Sequence, residues 1–371
     1  MVGAAAGGLL RRGRPHAGAG HGAVAQLGTG LSAAAARTVR TEDGVELFAE
    51  EYGPPDAPLS VVLLHGWTLD RRVWQLQVRD LPDRLGAPVR LVTYDHRGHG
   101  RSGATPRDRM TIAQLGDDLG AVLRTAAPAG PVVLAGHSIG GMAIMALAER
   151  HPALFAELVA GVAFVNTSSG GLADVNLGLP QPLARLAGRV ESAVGRALVQ
   201  GPSGAGSGLP GVPSVSGGSG GTGGIGGIGG IGLGGARHVR VRGALARRAS
   251  RVLVSRPGFR WLLFGSRPPR TAVSLAVATV AATTPETIVG FRSTFADHDR
   301  RDALAACRGL PAVVLGGTTD RLCPAEHARA IAAELAGAEL VLCPRAGHIL
   351  PLERPDEVTD NLATVVKRAL G

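Results

Sequence analysis

The chain has 371 residues, of which 45% are hydrophobic and 18% charged, and its formal net charge is +10 at pH 7. That length suits one domain carrying an insertion, or two small domains. Aromatic residues make up only 3% of the chain, and no nucleic-acid recognition motif accompanies the positive charge. Nucleic acid is therefore not expected to be the partner. No apolar run reaches the length of a membrane span, and no G-x-G-x-x-G follows the first strand to bind a dinucleotide.

The first 37 residues are rich in alanine and glycine and show no hydrophobic period, so they predict a disordered N-terminal extension (1–37). The pair Arg11-Arg12 is followed by Gly-Arg-Pro-His instead of an apolar stretch, which supports neither a Sec nor a twin-arginine signal. Alternating residues from 38 to 52, centred on Asp43-Gly44, then predict a β-hairpin.

Strand-like apolar runs and helix-like segments alternate through most of the remaining chain. This order predicts an α/β fold with a mostly parallel, doubly wound sheet. Predicted strands cover 59–65, 89–94, 131–135, 158–165 and 310–317, with one more ending at 341–343; predicted helices cover 112–126, 141–150, 325–335 and 357–370.

The alternation breaks between 167 and 308, and this segment predicts an inserted helical cap that divides the core into 38–166 and 309–371. Within it, 201–236 holds 18 glycines in 36 positions, a composition typical of a flexible, disordered linker. The uncharged, alanine-rich run 271–284 is too short to span a membrane and predicts a buried cap helix.

Positive charge is concentrated in the insertion. Residues 185–270 carry 13 arginines against one acidic residue, and the first 40 residues carry five arginines and no acid, so the rest of the chain is mildly acidic. Arginines interleaved with apolar residues over 236–266 allow a weak contact with anionic membranes. The alternative, which we favour, is a solvated cap helix whose arginines pair with the acidic body. Lys367 is the only lysine, and with abundant Ala, Gly and Pro this indicates a GC-rich bacterial genome.

The chain has three cysteines, Cys307, Cys323 and Cys343. Their number is odd, and their spacing is not that of a metal site. They therefore predict reduced thiols and a cytoplasmic location. Cys323 follows a candidate acidic residue closely, although a structural role is the simpler expectation. No cluster of Cys, His and Asp indicates a metal site, and no cofactor is expected.

The motif Gly136-His137-Ser138-Ile139-Gly140 matches G-x-S-x-G between a predicted strand and a predicted helix. A serine on such a sharp turn is exposed at the carboxyl edge of the sheet, and glycines beside it avoid clashes with neighbouring elements. The amino-terminal end of the following helix favours developing negative charge. Ser138 is therefore the candidate nucleophile.

A nucleophilic serine needs a base and an acid that orients the base. Asp320 follows the predicted strand 310–317 by a few residues, and His348 lies in the loop after the strand that ends at Cys343. Ser138, Asp320 and His348 are thus the candidate catalytic residues. Asp174, after the preceding strand, is the alternative acid.

Together with the Ser138 motif, four further motifs in this sequence resemble those of the α/β-hydrolase fold. They are similar to those of its capped serine hydrolases, which include esterases and lipases. The resemblance runs from about residue 40 to the end of the sequence. Beside the Ser138 motif it rests on Leu64-His65-Gly66-Trp67, on the loop from Tyr94 to Ser102, on the acid loop from Gly317 to Pro324, and on Ala346-Gly347-His348 with Glu353-Arg354-Pro355. In the loop from Tyr94 to Ser102, Asp95, Arg97 and Ser102 are assigned to structure.

The resemblance implies a cofactor-free serine hydrolase that cleaves a carboxylic ester or thioester through an acyl-enzyme. The backbone N–H groups of Trp67 and Ile139 are the expected oxyanion donors. The Trp67 ring either walls the acyl pocket or is a packed core side chain. Carbon–carbon bond hydrolases and perhydrolases share the serine nucleophile and remain alternatives, whereas a non-catalytic binding member would not require all three catalytic residues. A small ester is the expected partner, and the oligomeric state stays open.

Overall fold

A computed structural model describes residues 33–127, 130–172 and 257–371. Expectations for residues 1–32, for the linker 201–236, for Asp174 and for most of the arginine-rich segment lie outside these ranges. Residues 35–37, which were predicted as part of the N-terminal extension, belong instead to the first strand, β1 Ala35–Arg40. Backbone pairing with the next strand, in the register Arg37↔Ala49, holds this segment although its side chains are mostly exposed.

The fold is built on one eight-stranded sheet. The strands after β1 are β2 Glu46–Tyr52, β3 Ser60–Leu64, β4 Arg90–Tyr94, β5 Val132–His137, β6 Val159–Val165, β7 Ala312–Gly317 and β8 Glu339–Cys343. Their order in the sheet is β1-β2-β4-β3-β5-β6-β7-β8. Strand β2 runs antiparallel to β1 and β4, and all other neighbours are parallel. This architecture confirms the predicted α/β class.

Helices connect the parallel strands and cover the sheet. Two of them carry no strong sequence signal, since Gln75–Leu85 (α1) contains Pro82 and Pro152–Leu158 (α4) follows Ile139–Arg150 (α3) after a single residue. The α-helices of the described residues are α1 Gln75–Leu85, α2 Ile112–Ala126, α3 Ile139–Arg150, α4 Pro152–Leu158, α5 Pro257–Leu263, α6 Arg270–Ala282, α7 Pro285–Arg292, α8 Ala325–Glu334, α9 Leu350–Glu353 and α10 Pro355–Leu370.

Alternate residues of the central strands enter two separate hydrophobic clusters, one on each face of the sheet. In β3, Val62 and Leu64 pack in the cluster that includes α2, α3 and α8, whereas Val61 and Leu63 pack in the cluster that includes α1 and α10. Because both faces are covered, these strands are apolar throughout instead of alternating. The buried sheet provides a rigid edge for the loops that follow its strands.

The insertion leaves the core after β6 and returns at β7, two strands that are neighbours in the sheet. Its described helices α5, α6 and α7 include the predicted cap helix, which is only partly buried along α6. The last part of the segment predicted as cap belongs to the core instead. In the 3₁₀ helix Asp302–Cys307, the side chains of Leu304 and Cys307 are almost fully buried and pack in the hydrophobic cluster around α3.

No single helix among those described is long and apolar enough to cross a membrane. Helices α6 and α7 are long and apolar enough for a span only when taken together, and they meet at a bend of 95°.

Candidate active site

Ser138 occupies a sharp turn between β5 and α3, with φ 53° and ψ −118°. Such a conformation is strained for a residue with a side chain and persists only where the surroundings fix it. The Ser138 N–H donates to the Val165 carbonyl at 2.9 Å, and the Thr167 hydroxyl donates to the Ser138 carbonyl at 2.6 Å. The end of β6 therefore fixes the turn, which leaves the serine side chain at the carboxyl edge of the sheet.

The small residues around Ser138 are required by close backbone contacts. A Cβ atom on Gly136 would lie 2.4 Å from the Gly141 nitrogen, and one on Gly140 would lie 2.5 Å from the Leu64 carbonyl oxygen. Both distances are shorter than any non-bonded contact of a methyl group. The motif thus lets α3 begin directly against the ends of β3 and β5.

Asp320 follows β7, and its carboxylate accepts four hydrogen bonds. Oδ1 accepts from the backbone N–H groups of Leu322 at 2.8 Å and Cys323 at 3.0 Å. Oδ2 accepts from Asn166 Nδ2 at 2.6 Å and from His348 Nδ1 at 2.8 Å. These contacts use both oxygens and fix the orientation of the carboxylate.

His348 follows β8 and joins Ser138 to Asp320. A carboxylate can only accept from Nδ1–H, so in the neutral ring Nε2 is free to accept the Ser138 hydroxyl proton. The distance from Nε2 to Ser138 Oγ is 3.0 Å, within hydrogen-bond range. All three side chains are largely withdrawn from solvent, with 8% of Ser138, 6% of Asp320 and 5% of His348 exposed. The structure thus brings the three sequence-predicted residues into one hydrogen-bonded chain.

Asn166 is a site residue that the sequence analysis missed. It is the first residue after β6, has φ 46° and is 1% exposed. Its Nδ2 donates to Asp320 and also to the Gly347 carbonyl at 3.2 Å. An asparagine that ends an apolar strand is a usable signal, because asparagine tolerates positive φ better than most residues.

His137, the residue before Ser138 in the G-x-S-x-G motif, binds the backbone of the loop that carries His348. Its Nε2–H donates to the His348 carbonyl at 2.7 Å, and the two rings are 5.0 Å apart. Burial, followed by the neighbouring His348, lowers the pKa of His137 to about 3, so the ring stays neutral. Its role as a backbone clamp could not be assigned from sequence, since the partner lies 211 residues away.

The expected oxyanion donors come from two elements that meet beside Ser138. Ile139 is the first residue of α3, and an N–H in the first helical turn has no intrahelical acceptor. Trp67 lies in a turn closed by Leu69 N–H and the Gly66 carbonyl at 3.1 Å, which leaves the Trp67 N–H unused by the turn. A Cβ on Gly66 would lie 2.5 Å from His137 Nδ1, so this loop packs directly against the residue preceding Ser138.

The Trp67 ring packs between the core and the insertion. It lies edge-on to Phe295, with ring centres 5.2 Å apart, and both rings border the cluster around α3. The indole N–H is buried without a hydrogen-bond partner among the described residues. The Thr283 hydroxyl, after α6, donates to the carbonyl of the neighbouring Thr68 at 3.3 Å. The insertion therefore contacts the loop that carries the Trp67 N–H.

Three buried histidines lie behind the same loop. The rings of His65 and His96 are 4.3 Å apart, and those of His65 and His99 5.4 Å. Burial lowers the pKa of His96 to about 3 and that of His99 to about 4, and burial with the neighbouring imidazoles lowers the pKa of His65 well below its usual value. His65 Nε2 accepts the His96 backbone N–H at 2.8 Å, which ties the ends of β3 and β4 together.

The charged residues of the loop after β4 form ion pairs and hydrogen bonds with neighbouring parts of the core. Arg97 is fully buried and binds both Asp118 oxygens, at 2.7 and 2.6 Å, and Asp43. Asp95 pairs with Arg71 at 2.9 Å, and the Ser102 hydroxyl donates to the Asp95 carbonyl. These bonds link the loop to the β1–β2 hairpin and to α2.

Among the described residues, no group of three or more His, Cys, Asp or Glu side chains converges as a metal site. Cys323, beside the acid, is buried, and burial raises the pKa of its thiol well above the usual value. Its backbone N–H, and not its sulfur, contacts Asp320.

Comparison with known proteins shows matches over most of the chain. The model of the alpha/beta hydrolase family matches residues 61–361. The chain is 36% identical to the bifunctional esterase/perhydrolase DCH of Acinetobacter calcoaceticus over 114 residues, which are 31% of this chain and 39% of that protein. It is 34% identical to lipase LipV of Mycobacterium tuberculosis over 155 residues, 41% of this chain and 56% of that protein. These alignments thus span less than two thirds of either relative.

Solved structures match over nearly the full chain at lower identity. An esterase from Exiguobacterium antarcticum superimposes with a TM-score of 0.60 at 17% identity, covering 90% of this chain and 100% of its own. At that identity the likeness concerns the fold alone.

Proposed function

This chain belongs to the alpha/beta hydrolase family, and we propose that it is a serine hydrolase which cleaves a carboxylic ester or thioester. One observation carries the proposal: Ser138 Oγ, His348 and Asp320 form a continuous hydrogen-bonded chain of 3.0 and 2.8 Å. Serine is a weak nucleophile unless an adjacent base accepts its proton, and this arrangement supplies that base.

In the proposed reaction, Ser138 Oγ attacks the acyl carbon while His348 Nε2 takes its proton. Asp320 holds Nδ1–H and stabilises the imidazolium that forms. The N–H groups of Trp67 and Ile139 bind the oxyanion, and such donors lower a barrier by about 3–4 kcal/mol each. His348 then protonates the leaving alcohol or thiol, and water, deprotonated by the same imidazole, releases the acid.

Perhydrolysis is a second candidate, because one relative is named a bifunctional esterase/perhydrolase. Hydrogen peroxide would replace water in the attack on the same acyl-enzyme and yield a peracid. Carbon–carbon bond cleavage stays an alternative with the same nucleophile. The three activities separate when the purified protein is assayed with an ester alone, with an ester and peroxide, and with a vinylogous diketone.

A reducing, cytoplasmic location is also part of the proposal. The three cysteines are free and buried, so none is paired as in a disulfide-stabilised secreted protein.

A small-molecule ester is the proposed substrate, and its acyl and alcohol groups are to be identified with a panel of p-nitrophenyl esters of increasing chain length.

The first prediction tests the nucleophile. A fluorophosphonate probe labels Ser138, and Ser138→Ala abolishes both labelling and ester turnover while circular dichroism stays unchanged. Asp320→Asn lowers kcat by roughly 10⁴-fold, because the orienting acid is lost. Ser293→Ala, which removes an exposed serine hydroxyl after α7, serves as the control and retains both activities. Full turnover by Ser138→Ala would contradict the mechanism, and a near-silent Asp320→Asn would shift the acid to Asp174.

A further inference from the structure

A buried carboxylate outside the triad connects the insertion to the histidine loop. Glu353 ends α9, five residues after His348, and is 5% exposed. Its Oε2 accepts the Gly265 N–H at 2.8 Å, and both oxygens accept the Gly347 N–H at 3.1 Å. Within the described part of the chain, no arginine or lysine lies within salt-bridge distance of this carboxylate.

The two segments that Glu353 joins also bind each other through their backbones. His348 N–H donates to the Leu263 carbonyl at 2.8 Å, and Ser266 N–H donates to the Arg345 carbonyl at 3.2 Å. A Cβ on Gly265 would lie 2.0 Å from the Arg345 oxygen, and one on Gly347 would lie 2.4 Å from the carbonyl carbon of Phe264. Residues 263–266 therefore lie in direct backbone contact with 345–348, and Glu353 accepts the inner N–H of each.

A buried ionised group with no cation in direct contact is costly unless hydrogen bonds compensate for lost water. Burial raises the pKa of Glu353, and the Gly265 and Gly347 N–H groups, followed by the charge of the neighbouring Arg354, oppose that shift. Hydrogen bonds from a neutral donor to a charged acceptor are stronger than those between neutral groups. An amide in place of the carboxylate keeps the size of the side chain but removes the negative charge. It also places an NH2 donor where one oxygen now accepts from an N–H group, so the two bonds are weakened.

We infer that Glu353 is a positioning residue, which clamps insertion segment 263–266 to loop 345–348 and so holds His348 at hydrogen-bond distance from Ser138 Oγ. This inference rests on the proposed function and adds to it that the base is held from the insertion side. Displacement of segment 263–266 would move the His348 backbone, since the His348 N–H bonds to Leu263 in that segment.

The test compares Glu353→Gln with a matched control, Glu51→Gln. Glu51 is equally buried, at 6% exposed, but lies on β2 and pairs with Arg37 and Arg90, far along the sheet from β8. We expect Glu353→Gln to lower kcat and the rate of fluorophosphonate labelling by about 10- to 100-fold with KM little changed. We also expect the downfield proton NMR signal of His348 Nδ1–H to shift or broaden. Glu51→Gln should change neither, although both variants lower the melting temperature.

A labelling rate within twofold of wild type, or an equal loss in Glu51→Gln, would overturn the inference. If Glu353→Gln does not fold, Glu353→Asp replaces it: this variant retains a carboxylate but withdraws it from the two N–H groups, and the same two outcomes decide. Failure of the proposed function is distinguishable, because wild-type protein would then resist the probe altogether. The NMR signal of His348 still reports the positioning effect in that case.

Discussion

Asp320 depends on groups from several parts of the chain. The backbone after it supplies two hydrogen bonds, and Asn166 at the end of β6 supplies a third, to the same Oδ2 atom that His348 contacts. The Asn166 amide also binds the Gly347 carbonyl beside His348. One side chain thus contacts both the acid and the loop of the base, and we expect it to set the distance between them.

Asn166 can be tested with a pair of substitutions. Asn166→Gly keeps the positive φ accessible but removes the amide, so we expect kcat to fall about tenfold through loss of one charge-assisted hydrogen bond. Asn166→Ala removes the same amide and adds backbone strain, typically about 1 kcal/mol or more. Ester kinetics should therefore be similar in the two variants, while urea unfolding separates them. Wild-type kcat in Asn166→Gly would show that the amide does not orient Asp320.

At the scale of elements, the ends of β3 and β4 are joined by imidazoles instead of apolar side chains. His65, His96 and His99 are fully or almost fully buried and neutral, and the Tyr94 and Phe291 rings lie against His96 and His99 respectively. The unfolded chain binds protons on these residues near pH 6.5, whereas the folded chain resists protonation down to pH 3–4 at His96 and His99.

The free energy of unfolding should therefore fall as the pH drops below about 6.5, because the unfolded state then binds more protons than the folded state. Each such histidine contributes a slope of about 1.4 kcal/mol per pH unit until its folded pKa is reached. His99→Asn keeps a donor for the Arg97 carbonyl that His99 Nδ1 contacts at 2.9 Å, but it cannot titrate. Urea unfolding between pH 4.5 and 6.5 should show a slope lower by about one proton in this variant. An unchanged slope would mean that His99 is protonated in the folded protein.

Local patterns predicted the elements well and the contacts between them poorly. Helix α2 was predicted with its observed bounds, and the turn at Ser138 follows from the G-x-S-x-G pattern, in which Gly136 lies against Gly141 of the same segment. Asn166 and Glu353 are different, since their partners lie 154 and 88 residues away, at Asp320 and Gly265. Such contacts depend on how loops from separate strands meet at the sheet edge, and no local periodicity encodes that meeting.

At the scale of the whole molecule, basic residues concentrate in one part of the sequence. The 13 arginines of 185–270 contrast with a mildly acidic remainder. Within this segment, Trp261 on α5 is 42% exposed, and the Arg321 guanidinium lies over its ring at 4.1 Å. An exposed tryptophan beside arginines is suited to the interface of an anionic membrane.

Sedimentation with liposomes tests this weak membrane contact. A membrane contact predicts binding to anionic vesicles at low salt, little at high salt and none to neutral vesicles, because surface attraction is screened within a Debye length. The solvated cap helix that we favour predicts no binding to either kind of vesicle. Trp261→Ala should weaken binding without altering salt dependence, whereas exchanging arginines 237, 240 and 242 for glutamine should reduce that dependence. Protein that stays in the supernatant with anionic vesicles at low salt would favour arginines paired with the acidic body.

The insertion separates the proposed catalytic residues along the chain but not in space. Its two ends meet at β6 and β7, which pair side by side in the register Val162↔Ala312 to Val165↔Leu315. A break within 201–236 would leave Ser138 and both oxyanion donors on one polypeptide, and Asp320 and His348 on the other. Neither fragment could turn over an ester alone, and the β6–β7 seam is where they would have to rejoin. The architecture therefore suits a split reporter, in which ester hydrolysis signals that two fused proteins have come together.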